Sequence, residues 1–191
     1  MLQWSDKFET KIEFIDKHHK NIFDLLNELS QCCEYQFATA DTVSQALERL
    51  NVYSHKHFMA EEALMNKLQL DERHIREHQM EHRSFMYDVE RLSMYADAPD
   101  NLIEMTEKLV EFIAHWWTCH ILGVDRIMTL QLFDVRKGMA AAEAYEAAQK
   151  VKQDHQVTQL MLDSMLKLWR SATERCHALE KELASLKAAS K

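Results

Sequence analysis

Apolar residues recur three and four positions apart along most of this 191-residue chain, the spacing of a helix with one buried face. Ile15, Ile22, Phe23, Leu26 and Leu29 share such a stripe and predict a first helix from about Ile15 to Tyr35. Ala46, Leu50, Tyr53, His57, Leu64 and Met65 carry a second, reaching about Lys67, with Asp41 before Thr42 as its expected cap. Asp71 is expected to open a third, to about Tyr95, and Pro99 with Asp100 a fourth, from about Leu102 to Leu130. Residues 1–11 read as an irregular lead-in anchored by Trp4. The connections are short, which makes neighbouring helices antiparallel. The expected fold is therefore all-α, an antiparallel up-down-up-down four-helix bundle.

From about Leu132 the pattern changes. Gly138 interrupts, an Ala-rich stretch follows, and a long helix is expected toward the C-terminus. Leu162, Met165, Trp169, Ala172, Cys176, Leu179, Leu183 and Leu186 alternate three and four apart there, the rhythm of a coiled-coil seam. Such a seam predicts either a homodimer through this helix or packing back onto the bundle. The expected division is a bundle over residues 1–131 and a helical extension over 132–191.

Composition supports helix: Gly 2 and Pro 1 are scarce, and strand-like alternation bounded by turns is missing. A net charge of -8 argues against nucleic acid as a partner. No apolar run has the length of a membrane span and no signal region opens the chain. Cys32, Cys33, Cys119 and Cys176 have no metal-knuckle or disulfide spacing, so reduced thiols in a cytoplasmic protein are expected.

The chemistry lies in the histidines. His57 and Glu61, and His78 and His82, are each separated by one helical turn and project from one face. His120 and Asp125 are five apart with Gly123 between them, and His19 lies near the start of the first helix. Each helix thus contributes at least one candidate to a core site. Seven nitrogen and oxygen donors exceed what one ion uses, and two irons sharing Glu61 and Asp125 would account for all of them. A Glu-x-x-His motif, Glu174 and His177, falls outside the bundle. The other histidines, His18, His55, His74, His115, His155 and His177, read as exposed or outer groups, and Glu62 as pointing away from Glu61.

In order along the chain stand Trp4; Ile15-Asp16-x-x-His19-Lys20; His57-Phe58-x-x-Glu61-Glu62-x-Leu64-Met65; His78-x-x-x-His82-x-x-Phe85; and Trp116-x-x-x-His120-Ile121-x-x-x-Asp125. This series resembles the hemerythrin family, specifically the bacterial hemerythrin-like domains, over roughly residues 4–130. The resemblance implies a non-haem di-iron centre with an oxo or hydroxo bridge. His78, His82 and His120 would hold one iron, His19 and His57 the other, and Glu61 and Asp125 would bridge them. It further implies O2 bound at the diferrous pair as hydroperoxide. Trp117 and Ile121 are the residues expected at the O2 pocket. Trp117 departs from the family's usual Leu and could narrow that pocket, or could equally be bulky core. The Tyr-Pro pair common before the third helix is replaced by Leu70-Asp71.

An oxygen carrier needs only the bundle, so the extension points to an O2 or redox sensor that passes its state along the C-terminal helix. Similar bacterial domains are fused to chemoreceptor or diguanylate cyclase modules, and an output domain could begin after this seam. The signal could be O2, iron oxidation state or another small diatomic such as nitric oxide. Two alternatives remain beside the sensor: a free-standing O2 carrier or store, and a di-iron reductase or iron-handling protein. An enzyme is not the expectation.

Overall fold

The computed structural model of the protein describes residues 4–34, 39–93, 102–151 and 157–167, and near the C-terminus 181, 183 and 185–187. Four long helices build the bundle: α1 (Glu13–Glu34), α2 (Ala40–Lys67), α3 (Glu72–Ser93) and α4 (Leu102–His120). The last continues through a π-helical turn, Ile121–Asp125, into α5 (Arg126–Arg136), and α6 (Ala141–Gln149) packs back on α5. Helix α1 lies against α2 and α4, and α3 against α2 and α4, which closes the ring of an antiparallel bundle. No strand occurs among the described residues.

The helix ends follow local chemistry. Thr39, not Asp41, caps α2: its hydroxyl accepts from the Thr42 N–H at 3.2 Å, and its own N–H donates to the Thr42 hydroxyl at 2.8 Å. This reciprocal pair satisfies two amides that the helix start leaves open. Helix α2 ends with Gln69 at φ 50°, the Gln69 N–H bonding Asn66 O and the Leu70 N–H bonding Met65 O. That is a Schellman ending, and buried Leu70 clusters with buried Met65 as such endings favour. Asp71 then caps α3, accepting from the Arg73 N–H at 2.9 Å, as its sequence position predicted. The Leu70-Asp71 pair thus makes a tight corner without proline.

The fourth helix does not stop near Leu130. Its α5 segment runs to Arg136 and ends in a second Schellman pattern, Met139 N–H to Asp134 O and Gly138 N–H to Val135 O, with Gly138 at φ 96°. The lead-in is tied down as expected. Trp4 packs 5.4 Å from Phe23 and 5.9 Å from Phe8, ring centre to ring centre, around a 3-10 turn at Asp6–Phe8.

Two apolar clusters fill the bundle. The larger includes Ile22, Leu26, Leu50, Phe58, Phe85, Ile113 and Trp117; the smaller includes Ile12, Ile15, Met65, Leu70, Met128 and Leu132. Each helix crosses from one cluster to the other, and each places its candidate ligands at the crossing. His19 falls between Ile15 and Ile22, and His57 with Glu61 between Leu50 and Met65. His78 and His82 fall between Leu70 and Phe85, and His120 with Asp125 between Trp117 and Met128. The polar layer is therefore held between two hydrophobic plugs.

Residues 157–167 are helical and pack back on the bundle through Val157, Leu160 and Met161. Leu162, Met165 and Leu166 of the same stretch are exposed. Trp169, Ala172, Cys176 and Leu179 of the predicted seam lie outside the described residues, as do Tyr35, Tyr95, Pro99, Asp100, His155, Glu174 and His177. No helix among the described residues is long and apolar enough to cross a membrane.

Candidate metal centre

All seven sequence-predicted donors meet in the polar layer, each at 2% exposure or less. Helix α1 supplies His19, α2 supplies His57 and Glu61, and α3 supplies His78 and His82. The α4–α5 helix supplies His120 and Asp125. Five positions on an α-helix turn a side chain about 140° away from its partner. The π-helical turn from Ile121 to Asp125 lengthens the repeat and brings Asp125 back beside His120. Sequence spacing could place these two near a common centre but did not reveal the turn that does it.

The donors form two groups whose candidate ligand atoms lie within 4.8 Å of one another: Glu61, His78, His82 and His120; and His19, His57, Glu61 and Asp125. Asp125 also reaches across. Its Oδ2 is 3.2 Å from His19 Nε2, and its Oδ1 is 3.1 Å from both His78 Nε2 and His120 Nε2. Glu61 Oε2 lies 3.2 Å from His57 Nε2, 3.3 Å from His78 Nε2 and 3.4 Å from His82 Nε2. Donors around an ion with bonds of about 2.1 Å at right angles stand roughly 3 Å apart, so the cage has the right dimensions.

Two observations test whether metal ions belong here. His82 Nδ1 and His120 Nδ1 each face a carboxylate, Glu62 at 3.0 Å and Glu81 at 2.9 Å. A carboxylate accepts the Nδ1 proton and leaves the lone pair on Nε2. The two Nε2 atoms nonetheless face each other at 3.2 Å. Two facing lone pairs repel, so either a proton or a metal ion must stand between them. In addition, the Nε2 atoms of His19, His57 and His78 and the carboxylate oxygens of Glu61 and Asp125 are buried without a hydrogen-bond partner among the described residues. Most of these atoms have only one another at 3.1–3.4 Å and no hydrogen bond, an arrangement that is costly for buried polar groups without a metal ion. Metal ions fit.

The electrostatics agree. Burial pushes the His57 ring down to about 3, leaving it neutral as a ligand must be. Burial and Asp125 push Glu61 upward, but His57, His78 and His82 outweigh them and hold it below its ordinary value. Burial likewise pushes Asp125 upward, and His120, His19 and His78 overcome it. At His120 burial opposes the charged ring, yet Asp125 and Glu81 raise it to about 10. Two buried carboxylates thus draw positive charge into the layer.

Around the cage stand aromatic rings. Trp117 is fully buried, 5.1 Å from the His57 ring, 6.0 Å from the His19 ring and stacked 5.6 Å from Phe58. Phe58 stacks on His82 at 3.9 Å and Trp116 on His120 at 4.4 Å. Ile121, buried beside His120 in the π-helical turn, also lines a cleft of about 310 Å³ between the lead-in and α5. Sequence reasoning missed the two outer carboxylates: Glu62 leaves the Glu61 side, as expected, but to grip His82. His74, read as exposed or an outer group, is buried one turn before His78, with ring centres 5.3 Å apart. His55 is exposed, and His18 and His115 are half-buried.

Residues 10–132 match the family described as Hemerythrin HHE cation binding domain. A protein of Clostridium acetobutylicum named bacteriohemerythrin is 27% identical over 128 residues, 66% of this chain and 97% of its own length. Proteins of the same name from two Pseudomonas aeruginosa strains, LESB58 and UCBPP-PA14, are each 27% identical over 124 residues, 65% of this chain and 76% of theirs. No solved structure matches the chain.

Proposed function

The chain belongs to the hemerythrin family, and on that footing we propose that it is a di-iron O2-binding domain used as an oxygen or redox sensor. The bundle over residues 1–131 is the sensing part and 132–191 the transmitting extension. His78, His82 and His120 would hold one iron and His19 and His57 the other, with Glu61 and Asp125 shared between them. When bound, two ferrous ions supply a vacant coordination position and two electrons for O2. The protein's part is to fix the donors, exclude water and wall the pocket. Five histidines with two carboxylates leave the pair low in anionic charge, which suits reversible binding of O2 over its cleavage. Trp117 packs against the His57 and His19 rings and would shape access to an iron held there.

The observation that carries the sensor reading is one contact. A Cβ built on Gly123 would lie 3.3 Å from the Met161 Cε, so the extension lies close against the π-helical turn between His120 and Asp125. The Cys119 thiol also points at the Met161 carbonyl at 3.9 Å. A change in bridging at Asp125 would move the turn against which residues 157–167 are packed. A carrier has no use for that contact. The exposed Leu162, Met165 and Leu166 beyond it suit a second copy of the chain or an output domain.

The test compares amide hydrogen exchange of residues 157–167 in the diferrous, O2-exposed and diferric protein, with visible spectra recorded alongside. The sensor reading expects exchange there to change with the state of the irons, and Met161→Ala to abolish the change while keeping the spectra. Identical exchange in all three states would leave the carrier reading standing. No iron-dependent spectrum would overturn both.

A further inference from the structure

The two groups of histidines are not equally supported, and the difference lies in residues outside the ligand set. Glu62 on α2 reaches His82 on α3, with Oε1 3.0 Å from Nδ1. Glu81 on α3 reaches His120 on α4, with Oε2 2.9 Å from Nδ1. Each comes from the preceding helix and each is the immediate chain neighbour of a donor, Glu61 or His82. Glu62 is itself held, accepting from Gln79 Nε2 at 3.1 Å. Both carboxylates therefore serve the three-histidine group. The Nδ1 atoms of His19 and His57 are buried and have no hydrogen-bond partner among the described residues. Two of three rings are anchored on one side and neither of two on the other.

A carboxylate behind an imidazole does two things. It fixes the ring's tautomer and orientation, so the lone pair is already aimed into the cage. It also returns electron density to the ring, which strengthens the bond to an ion and favours its higher charge. The side chains of Glu62 and Glu81 are 27% and 37% exposed. Water screens part of their charge, but the rings they hold are buried, where little screens the contact.

Resting on the di-iron reading above, we propose that Glu62 and Glu81 are positioning residues that make the two iron positions unequal. The three-histidine position fills first, binds its iron more tightly and keeps it ferric down to a lower ambient potential than it could without them. The open, two-histidine position is the more weakly held and the more easily reduced. The ordering comes from this chain's own outer carboxylates and not from the number of histidines alone.

The experiment is anaerobic titration of the metal-free full chain with Fe2+ against a competing chelator, followed by a reductive titration of the oxidised protein. Wild type is compared with Glu62→Gln, Glu81→Gln, the double variant and the control Glu77→Gln. Glutamine keeps the acceptor oxygen and removes the charge. Glu77 is an exposed carboxylate on the same helix as Glu81, so its variant matches the loss of charge. Wild type should take up two irons in two distinguishable steps. Each Gln variant should weaken the tighter step, by about 10- to 100-fold in the double variant, leave the weaker step within a few-fold, and raise the reduction potential. Glu77→Gln should do neither. Far-UV circular dichroism identifies any variant that misfolds, and the remaining single variant then carries the comparison. Two irons in wild type with both steps unchanged, or equally weakened, in the variants would overturn the proposal and leave the di-iron reading intact. Fewer than two irons in wild type would overturn the reading itself, and the proposal with it.

Discussion

Trp117 has no exposed surface, and its indole N–H has no partner among the described residues. Opposing magnitudes set what its replacement does. Trp117→Leu leaves a cavity worth about 3 kcal/mol but releases an unpaired buried donor worth about 1–2 kcal/mol. The variant should fold and lose about 1–2 kcal/mol in urea unfolding. With space opened beside His57 and His19, its reduced iron form should oxidise faster in air by stopped-flow absorbance. An unchanged rate would remove Trp117 from the O2 path. His74 gives a second residue-scale prediction. Burial lowers its ring to about 3, whereas the unfolded chain takes that proton near 6.5. Stability is thus intact above pH 6.5 and lost as pH falls toward 3. His74→Leu removes this liability and should move the acid midpoint, followed by circular dichroism, to lower pH. At this scale the residues that meet in the polar layer were legible in the sequence through two one-turn pairs, His57 with Glu61 and His78 with His82, and through the ordered motifs that carry His19, His120 and Asp125. The roles of Glu62 and Glu81 were not, because what defines each is a partner on another helix, to which single-chain spacing is blind.

At the scale of elements, the apolar stripes fixed which segments are helices and missed how they end. Asp41 looked like a cap by residue type, yet Thr39 holds the position because Thr42 can return its hydrogen bond. Gln69 gave no turn signal at all, being neither Gly nor Asn, but it occupies the left-handed position that closes α2. That position costs a residue with a Cβ about 1 kcal/mol, against about 0.5 kcal/mol of extra chain entropy lost by glycine. Gln69→Gly should therefore stabilise the protein by about 0.5 kcal/mol, a rise of one to two degrees in Tm for a chain this size. A lower Tm would show that the glutamine side chain contributes something the backbone argument omits. The π-helical turn was invisible for a different reason. The five-residue spacing of His120 and Asp125 demanded an irregularity, but only the packed bundle shows that the extra residue is absorbed between them, around Gly123.

In the molecule as a whole, residues 157–167 pack on the four-helix bundle through Val157, Leu160 and Met161, and Met161 lies beside the π-helical turn. Family membership and the donor set account for the cage, and both were readable from ordered motifs spanning about two-thirds of the chain. The extension was readable only as a rhythm of apolar residues, which fits packing back and self-association equally well. The described positions of that rhythm are all exposed, Leu162 48%, Met165 57%, Leu183 52% and Leu186 61%, as is Leu166 at 49%, while Val157, Leu160 and Met161 face the bundle. A helix that buries one edge and leaves three large apolar side chains on the other keeps a surface that water disfavours, by about 25 cal/mol for each Å2. If a second copy covers it, Leu162→Gln with Leu166→Gln should convert a dimer to a monomer in sedimentation equilibrium, while the iron spectrum of the bundle stays unchanged. The same pair should then suppress any dependence of association on iron oxidation state, because the moving turn would no longer connect to an interface. A wild-type chain that is monomeric in every iron state would rule out a second copy as the cover.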